Sequence, residues 1–324
     1  MNRHKLLVLF GLVISIVTGF GSRASTQPYP DKPVNLVVGV SVGGLVDLAT
    51  RQAAEQLQKK LGTPVLVQTR TGAGGAVAAQ FVAQSQPDGY NLLSLTSGTF
   101  TAADLQKKPP YTVSDFIPIA MIAEGGGVVI AVRKGLPISN FQELLAYAKA
   151  NPNKLTYGSS GTGGPVHLTI LQLLDRANVE MTHVPYRGAI PATQAVLQGE
   201  VDLTLVDPSG FAQQIKDGLI VPVARVADPP ARGAERFPKV ADFFPGYDAK
   251  LWIGLAAPAR TPPGVIEKLN TAMNAIISEG LIAEPIAKLG LAVTPMKQSE
   301  FQKYVEEDAQ RWGDLIRKHN ITME

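Results

Sequence analysis

VVGVSVGGLVDLATRQAAEQL, residues 37–57, sets a β-branched apolar run, a glycine pair and an alanine-rich helical pattern in direct succession. Strand, glycine loop and helix is a common way to hold an anion. The first turn of a helix carries N–H groups without helical partners and a partial positive charge. The stretch leaves open whether that anion is a nucleotide phosphate or a carboxylate.

The same unit recurs on both sides of this stretch. The strand Val34 to Val38 feeds a helix from Leu45, closed by Gly62, and Val65 to Val67 reads as the next strand. Gly72 to Gly75 opens a second helix running through Ala79 and Val82, and Tyr90 to Leu95 is a further strand. Residues 100–115 are turn-rich and weakly patterned. Ile117 to Ile122 and Val128 to Val132 read as extended, around Gly125-Gly126-Gly127. The alternation then restarts, with a helix capped by Ser139, a strand Leu155 to Tyr157 and a loop Gly158 to Gly164. Beyond Leu251 to Ala257, helices near 263–279, 281–289 and 298–318 leave too few strands for a third sheet, so this tail is expected to pack on the first unit. The pattern predicts an α/β protein of two lobes with largely parallel sheets and a ligand cleft between them.

With 324 residues, 45% hydrophobic and 18% charged, the chain has the profile of a globular protein of about two domains. A basic start (Arg3, His4, Lys5), the apolar run Leu6 to Phe20 and Ser22-Arg23-Ala24 read as a signal peptide over residues 1–24, and hence as export to a periplasm. Removing it leaves 27 basic against 27 acidic residues, a balance that predicts no nucleic-acid partner. With no cysteine, thiol catalysis, cysteine metal sites and disulfides are excluded.

Three glycine loops lie between a strand and a helix: 39–44, 72–75 and 158–164. None fits a nucleotide. No glycine precedes Lys-Ser or Lys-Thr, and Gly72-Ala73-Gly74 and Gly161-Thr162-Gly163 each reach valine where a dinucleotide loop has its third glycine. The loops hold no Lys or Arg (Arg70 and Arg187 only flank them) but offer amides and the hydroxyls of Ser41, Thr71, Ser159, Ser160 and Thr162, which suits a carboxylate. No catalytic residues, metal site or cofactor are expected. His167 and His183 lack partners at metal-ligand spacing and read as structural, as do Trp252 and Trp312. Gly158-Ser159-Ser160-Gly161-Thr162 fails as a nucleophile elbow, Asp47 reads as capping or solvating its helix, and Asp207 reads as a polar contact at a cleft edge.

Several motifs together resemble one family. Tyr29-Pro30-Asp31-Lys32-Pro33, Gly43-Gly44-Leu45-Val46-Asp47 with Arg51, Gly72-Ala73-Gly74-Gly75 and Pro87-Asp88-Gly89-Tyr90 carry the resemblance in the first half. Gly161-Thr162-Gly163 with His167-Leu168, His183-Val184-Pro185-Tyr186-Arg187-Gly188, Gly199-Glu200-Val201-Asp202 and Lys268-Leu269-Asn270 continue it. In order, they are similar to the Bug-type solute receptors of tripartite tricarboxylate transporters. Ser41-Val42 departs from that pattern, where the family usually has a proline-containing turn. Thr69-Arg70-Thr71 and the 227–247 segment depart too.

The resemblance implies a type II periplasmic-binding-protein fold closing on a small organic acid. It implies lobe 1 over residues 25–126 and 228–324, lobe 2 over 127–227, and a monomer delivering its ligand to integral-membrane transporter subunits. Carried onto this chain, the ligand contacts would be Val42, Gly43, Gly44, Ala73 and Gly74 from the first lobe. Ser159, Ser160, Gly161 and Thr162 would answer from the second, with Asp207 reading the distal end. The alternatives are an exported α/β hydrolase-like enzyme and a ligand-sensing partner of a membrane signalling protein.

Overall fold

Val34, Leu36, Val37 and Val38 are fully buried, as an apolar run covered on both faces must be. They form β1 (Val34–Val38), one strand of a five-stranded sheet with β2 (Val65–Thr69), β3 (Asn91–Leu95), β4 (Phe116–Gly125) and β10 (Leu251–Pro258), in the order β2-β1-β3-β10-β4. A second sheet holds β5 (Val129–Arg133), β6 (Thr156–Ser159), β7 (Thr182–Pro185), β8 (Leu203–Val206) and β9 (Ile220–Arg225), in the order β7-β6-β8-β5-β9. These orders are one pattern used twice. β1 stands where β6 does, and β10 where β5 does. The computed structural model describes residues 29–322 apart from 126, 187, 229, 231 and 232. The signal-peptide reading of 1–24 and the flanking Arg187 therefore lie outside the described residues.

In each sheet one strand runs against the other four. β10 pairs antiparallel with β3 and β4, and β5 antiparallel with β8 and β9. Both reversed strands are the first to form after the chain has crossed from the other sheet. The chain crosses once between β4 and β5 and returns once between β9 and β10.

The helices are α1 (Leu45–Leu61), α2 (Ala76–Ala83), α3 (Ser97–Asp104), α4 (Phe141–Ala150), α5 (Pro165–Ala177), α6 (Ala189–Gln198), α7 (Ala212–Lys216), α8 (Val240–Phe243), α9 (Pro263–Ser278), α10 (Ala283–Lys288) and α11 (Gln298–Lys318). Leu36 faces a core shared with α1, α9 and α10, while its neighbour Val37 faces a core shared with α2, α3 and α11, the two-residue alternation of a strand. Helix α1 buries Ala49, Ala53, Ala54 and Leu57 and stops at Gly62, whose φ of 68° is left-handed. As expected, the C-terminal third joins the first unit: β10 lies inside the first sheet, with α9 and α11 packed on β4. Helix α11 also reaches the second unit, where Leu168 of α5 packs with Trp312, Leu315 and Ile316. Lys318 there meets Asp175 at 2.6 Å.

Two local readings change. Asn140, not Ser139, caps α4, its side chain accepting the Glu143 amide at 2.9 Å while Ser139 takes the Glu143 carboxylate. The weakly patterned 100–115 segment begins inside α3. Thr96 starts this helix, its amide donating to Thr99 Oγ1 at 3.2 Å and its carbonyl accepting the Thr99 amide at 3.0 Å, despite the Ser-Gly-Thr-Phe-Thr composition. Among the described residues, no helix is long and apolar enough to cross a membrane.

Candidate functional site

All three glycine loops leave the C-terminal ends of parallel strands, β1, β2 and β6, the edge where open α/β sheets receive ligands. The loop after β1 and the loop after β6 are built alike. Gly43 and Gly163 have φ of 80° and 71°, conformations a side chain would strain. Gly44 and Gly164 cap the following helices with nearly the same angles, φ −72°, ψ 163° and φ −70°, ψ 164°. The Gly44 amide donates to Ser41 O at 3.2 Å and the Gly164 amide to Gly161 O at 3.1 Å.

In both loops the first glycine's amide is taken by the side chain four residues on. Gly43 N–H donates to Asp47 Oδ2 at 2.9 Å, and Gly163 N–H donates to His167 Nδ1 at 2.9 Å. The first helical bonds run from Leu48 to Gly44 O and from Leu168 to Gly164 O. The amides of Leu45 and Val46, and that of Val166, thus stay outside the helix ladders.

Asp47 is fully buried, so it clamps the loop rather than solvating its helix. Arg51 Nε, donating at 2.9 Å to Asp47 Oδ2, and then the Gly43 amide hold its carboxyl below the usual range. Arg70, flanking the second loop, lies over the Phe81 ring at 3.8 Å.

The second loop takes a different route. Gly72, Ala73, Gly74 and Gly75 all have positive φ, from 44° at Ala73 to 134° at Gly72, and the Gly75 amide closes the turn by donating to Gly72 O at 2.9 Å. It touches the first loop directly: a methyl group at Gly39 would stand 2.8 Å from Gly75 Cα. It also touches α3, since a methyl at Gly74 would lie 3.1 Å from Ala102 Cβ. Just past that helix, Leu105 packs on Gly163, where a methyl would lie 2.4 Å from Leu105 Cδ1. The segment 97–105 therefore links the second loop to the loop of the other sheet. Sequence reading missed it because its residues are poor helix formers.

Of the expected contacts, Val42, Gly43, Ala73, Gly74 and Thr162 are exposed, and Gly44, Ser160 and Gly161 half-buried. Ser159 is fully buried. Its hydroxyl lies 2.6 Å from His183 Nε2 and 3.1 Å from both the Gly161 amide and the Gly161 carbonyl. One hydroxyl proton satisfies all three contacts only when His183 carries its proton on Nε2 and donates, leaving Ser159 to donate to Gly161 O. In that arrangement His183 is no base for Ser159, which counts against the hydrolase reading. Asp207 is exposed and turns back on its own loop, accepting from the Ser209 amide and hydroxyl at 2.9 and 2.8 Å. Two recesses, of about 540 Å³ between α1 and α9 and about 270 Å³ between α3 and α11, are lined by none of these loop residues.

Beneath the third loop lies a cluster that sequence spacing concealed. The His167 and His183 rings stack at 3.8 Å and 1°, with Tyr157 stacked 5.0 Å from His183. Burial, and then His183 and His319, push the His167 pKa down to about 4, and burial lowers that of His183. Because the unfolded chain takes up the proton near pH 6.5, the stability due to neutral His167 is complete above that pH. It is lost as the pH falls from 6.5 to about 4, by on the order of 2–3 kcal/mol. Urea midpoints at pH 7 and pH 4.5 check this: His167→Asn, which cannot titrate, should lose less stability than the parent between the two.

Residues 49–321 match the model of the tripartite tricarboxylate transporter family receptor. The chain belongs to that family. The receptor is 28% identical to BugT of Bordetella pertussis over 98% of each chain. It superimposes on an R. palustris protein solved with adipate at a TM-score of 0.72 and 28% identity, covering 91% of this chain and 99% of that one. MatC of Rhodopseudomonas palustris, solved with malate, gives 0.70 and 28%, covering 89% and 100%. The receptor thus has the two-lobed α/β fold expected of a periplasmic binding protein, and Asp47, absent from the expected contacts, is a structural part of its first loop. The fifth position of each Gly-Gly loop, Asp47 in one and His167 in the other, was the signal available in the sequence.

Proposed function

We propose that this receptor captures a small carboxylated organic molecule between its lobes in the periplasm and delivers it to integral-membrane transporter subunits. The observation that carries this reading is the pair of matched Gly-Gly loops. One lies on each sheet, each with a rigidly clamped first glycine and helix amides left for an anion. The solved relatives with adipate and malate support the same ligand class.

In this reading Val42, Gly43, Gly44, Ala73 and Gly74 form the first-lobe face. Ser160, Gly161 and Thr162 form the second, with Ser159 holding their loop from behind and Asp207 meeting the distal end of the ligand. The lobes are 25–126 with 228–324, and 127–227, following a cleaved signal peptide of 1–24, and the receptor acts as a monomer. Charged hydrogen bonds of roughly 1.5–3 kcal/mol each bring a few such amides to the ~8 kcal/mol of a micromolar complex.

Thermal denaturation with adipate, malate, citrate, glutamate and benzoate tests the proposal. A ligand at about 100 times its Kd adds roughly 2.7 kcal/mol, so at least one acid should raise Tm by several degrees. No shift with any carboxylate would sink the reading.

A further inference from the structure

The two matched loops differ in one chemical respect. In the first, the amide of Gly43 is held by a carboxylate that its Arg51 partner keeps ionised. In the second, the amide of Gly163 is held by the unprotonated Nδ1 of His167. An imidazole that gains a proton at Nδ1 turns from acceptor to donor and faces the Gly163 N–H with a second N–H. The bond is then lost, not merely weakened.

His183 adds to this. Its ring lies 3.8 Å from that of His167, so the first proton on the stack opposes a second. His183 also holds Ser159, whose hydroxyl bridges the amide and carbonyl of Gly161. The loop from 159 to 164 is thus anchored at one end through His183 and at the other through His167. Tyr157 of β6 lies against the stack, and His319 at the end of α11, itself beside Asp175 and Lys318, is the further titratable group that bears on it.

We propose that His167 is a positioning residue for the second ligand loop, and that uptake of a proton at His167 Nδ1 frees the Gly163 end of the loop and lets the ligand go. The proposal rests on the reading of residues 160–162 as ligand contacts. The matching loop of the other lobe, clamped by Asp47, keeps its shape through the same change of pH. Acid therefore loosens one side of the grip only.

Amide hydrogen exchange on the ligand-free receptor tests the loop apart from any ligand. Expressed as protection factors, the Gly163 amide should lose at least tenfold between pH 7.5 and pH 4.0. The Gly43 amide and the core amides of α5 should keep theirs, which separates loop release from unfolding. His167→Leu should lose Gly163 protection at both pH values. His167→Asn, whose Oδ1 stands where Nδ1 did, should restore most of it and remove the pH dependence. Unchanged Gly163 protection in the parent at pH 4.0, or full protection in His167→Leu, would overturn the proposal.

Calorimetry with adipate and malate completes the test. At pH 7.5, His167→Leu should bind at least fivefold more weakly than the parent, and His167→Asn should recover most of that loss. The ratio of parent to His167→Asn affinity should fall towards pH 4.0, a ratio in which titration of the acid itself cancels. Binding of neither acid, nor of any in the thermal series, would overturn the carboxylate reading and with it the release step, while the exchange data still judge the loop.

Discussion

Gly39→Val is expected to weaken ligand binding at least a hundredfold, about 2.7 kcal/mol, without replacing any group that the proposed site presents to the ligand. Gly39 ends the first strand's run into its loop, and the atoms nearest to an added Cβ are Gly75 Cα at 2.8 Å, Gly75 O at 3.1 Å and Ala78 Cβ at 3.3 Å. Two of these are backbone and cannot rotate away. Even a single methyl must push the first loop off the second, and a valine must push further. Overpacking of this kind costs about 1–3 kcal/mol of stability, so the protein should still fold while its two first-lobe loops no longer share one geometry. Gly264→Ala serves as the control. Gly264 lies in the first turn of α9 with open space at its Cβ, and it should bind as the parent does. Calorimetry with whichever acid shifts Tm most would decide, and an unchanged affinity in Gly39→Val would show that the loops act independently.

Asp308→Ala should cost about 3–5 kcal/mol of stability, the scale for leaving buried charge and polar groups without their partner. Asp308 lies on α11, nearly fully buried. It accepts from Trp252 Nε1 at 2.8 Å, from Trp312 Nε1 at 3.1 Å and from the Arg311 guanidinium. Burial raises its pKa while Arg311 opposes that rise. Removing the carboxylate strands two indole N–H groups and leaves the Arg311 guanidinium with Asp248, 3.6 Å away. It also removes the Trp252 hydrogen bond between α11 and β10, the reversed strand of the first sheet. Urea denaturation should show the loss, with Asp308→Asn intermediate because one amide oxygen still accepts. A loss below about 1 kcal/mol would mean that the helix is held by Phe301, Val305 and Trp312 packing alone.

Strand and helix positions were largely legible because strands such as β1 and β5 are apolar on consecutive residues and helices such as α1, α5, α6 and α9 are marked by glycine or proline at their ends. Val34 to Val38 and the 298–318 helix are found where their patterns put them. Helix α3 was not legible, since it starts on a bond from the Thr96 amide to the Thr99 hydroxyl that composition does not reveal. The glycine loops were visible as loops, but not what their amides do. Gly43, Gly161 and Gly163 direct their N–H groups to Asp47, Ser159 and His167, so the free donors belong to the helix turns that follow. His167 and His183 are 16 positions apart and read separately as core histidines. Their stacking depends on β6, which pairs with β7 in a register set opposite Tyr157 and His183, and no local pattern encodes that pairing.

The reversed strand, fourth of five in each sheet, also sets an order of events when the chain folds. The strands of the second sheet all lie between residues 129 and 225, so that sheet can close as soon as one continuous segment is available. The first sheet cannot. Its order β2-β1-β3-β10-β4 leaves a gap between β3 and β4 until residues 251–258 arrive. Contacts so distant in sequence form late because a long loop must close first. The half of the receptor that appears first in the chain is therefore the half completed last, and the second lobe folds as an insertion that brings the two ends of its host together.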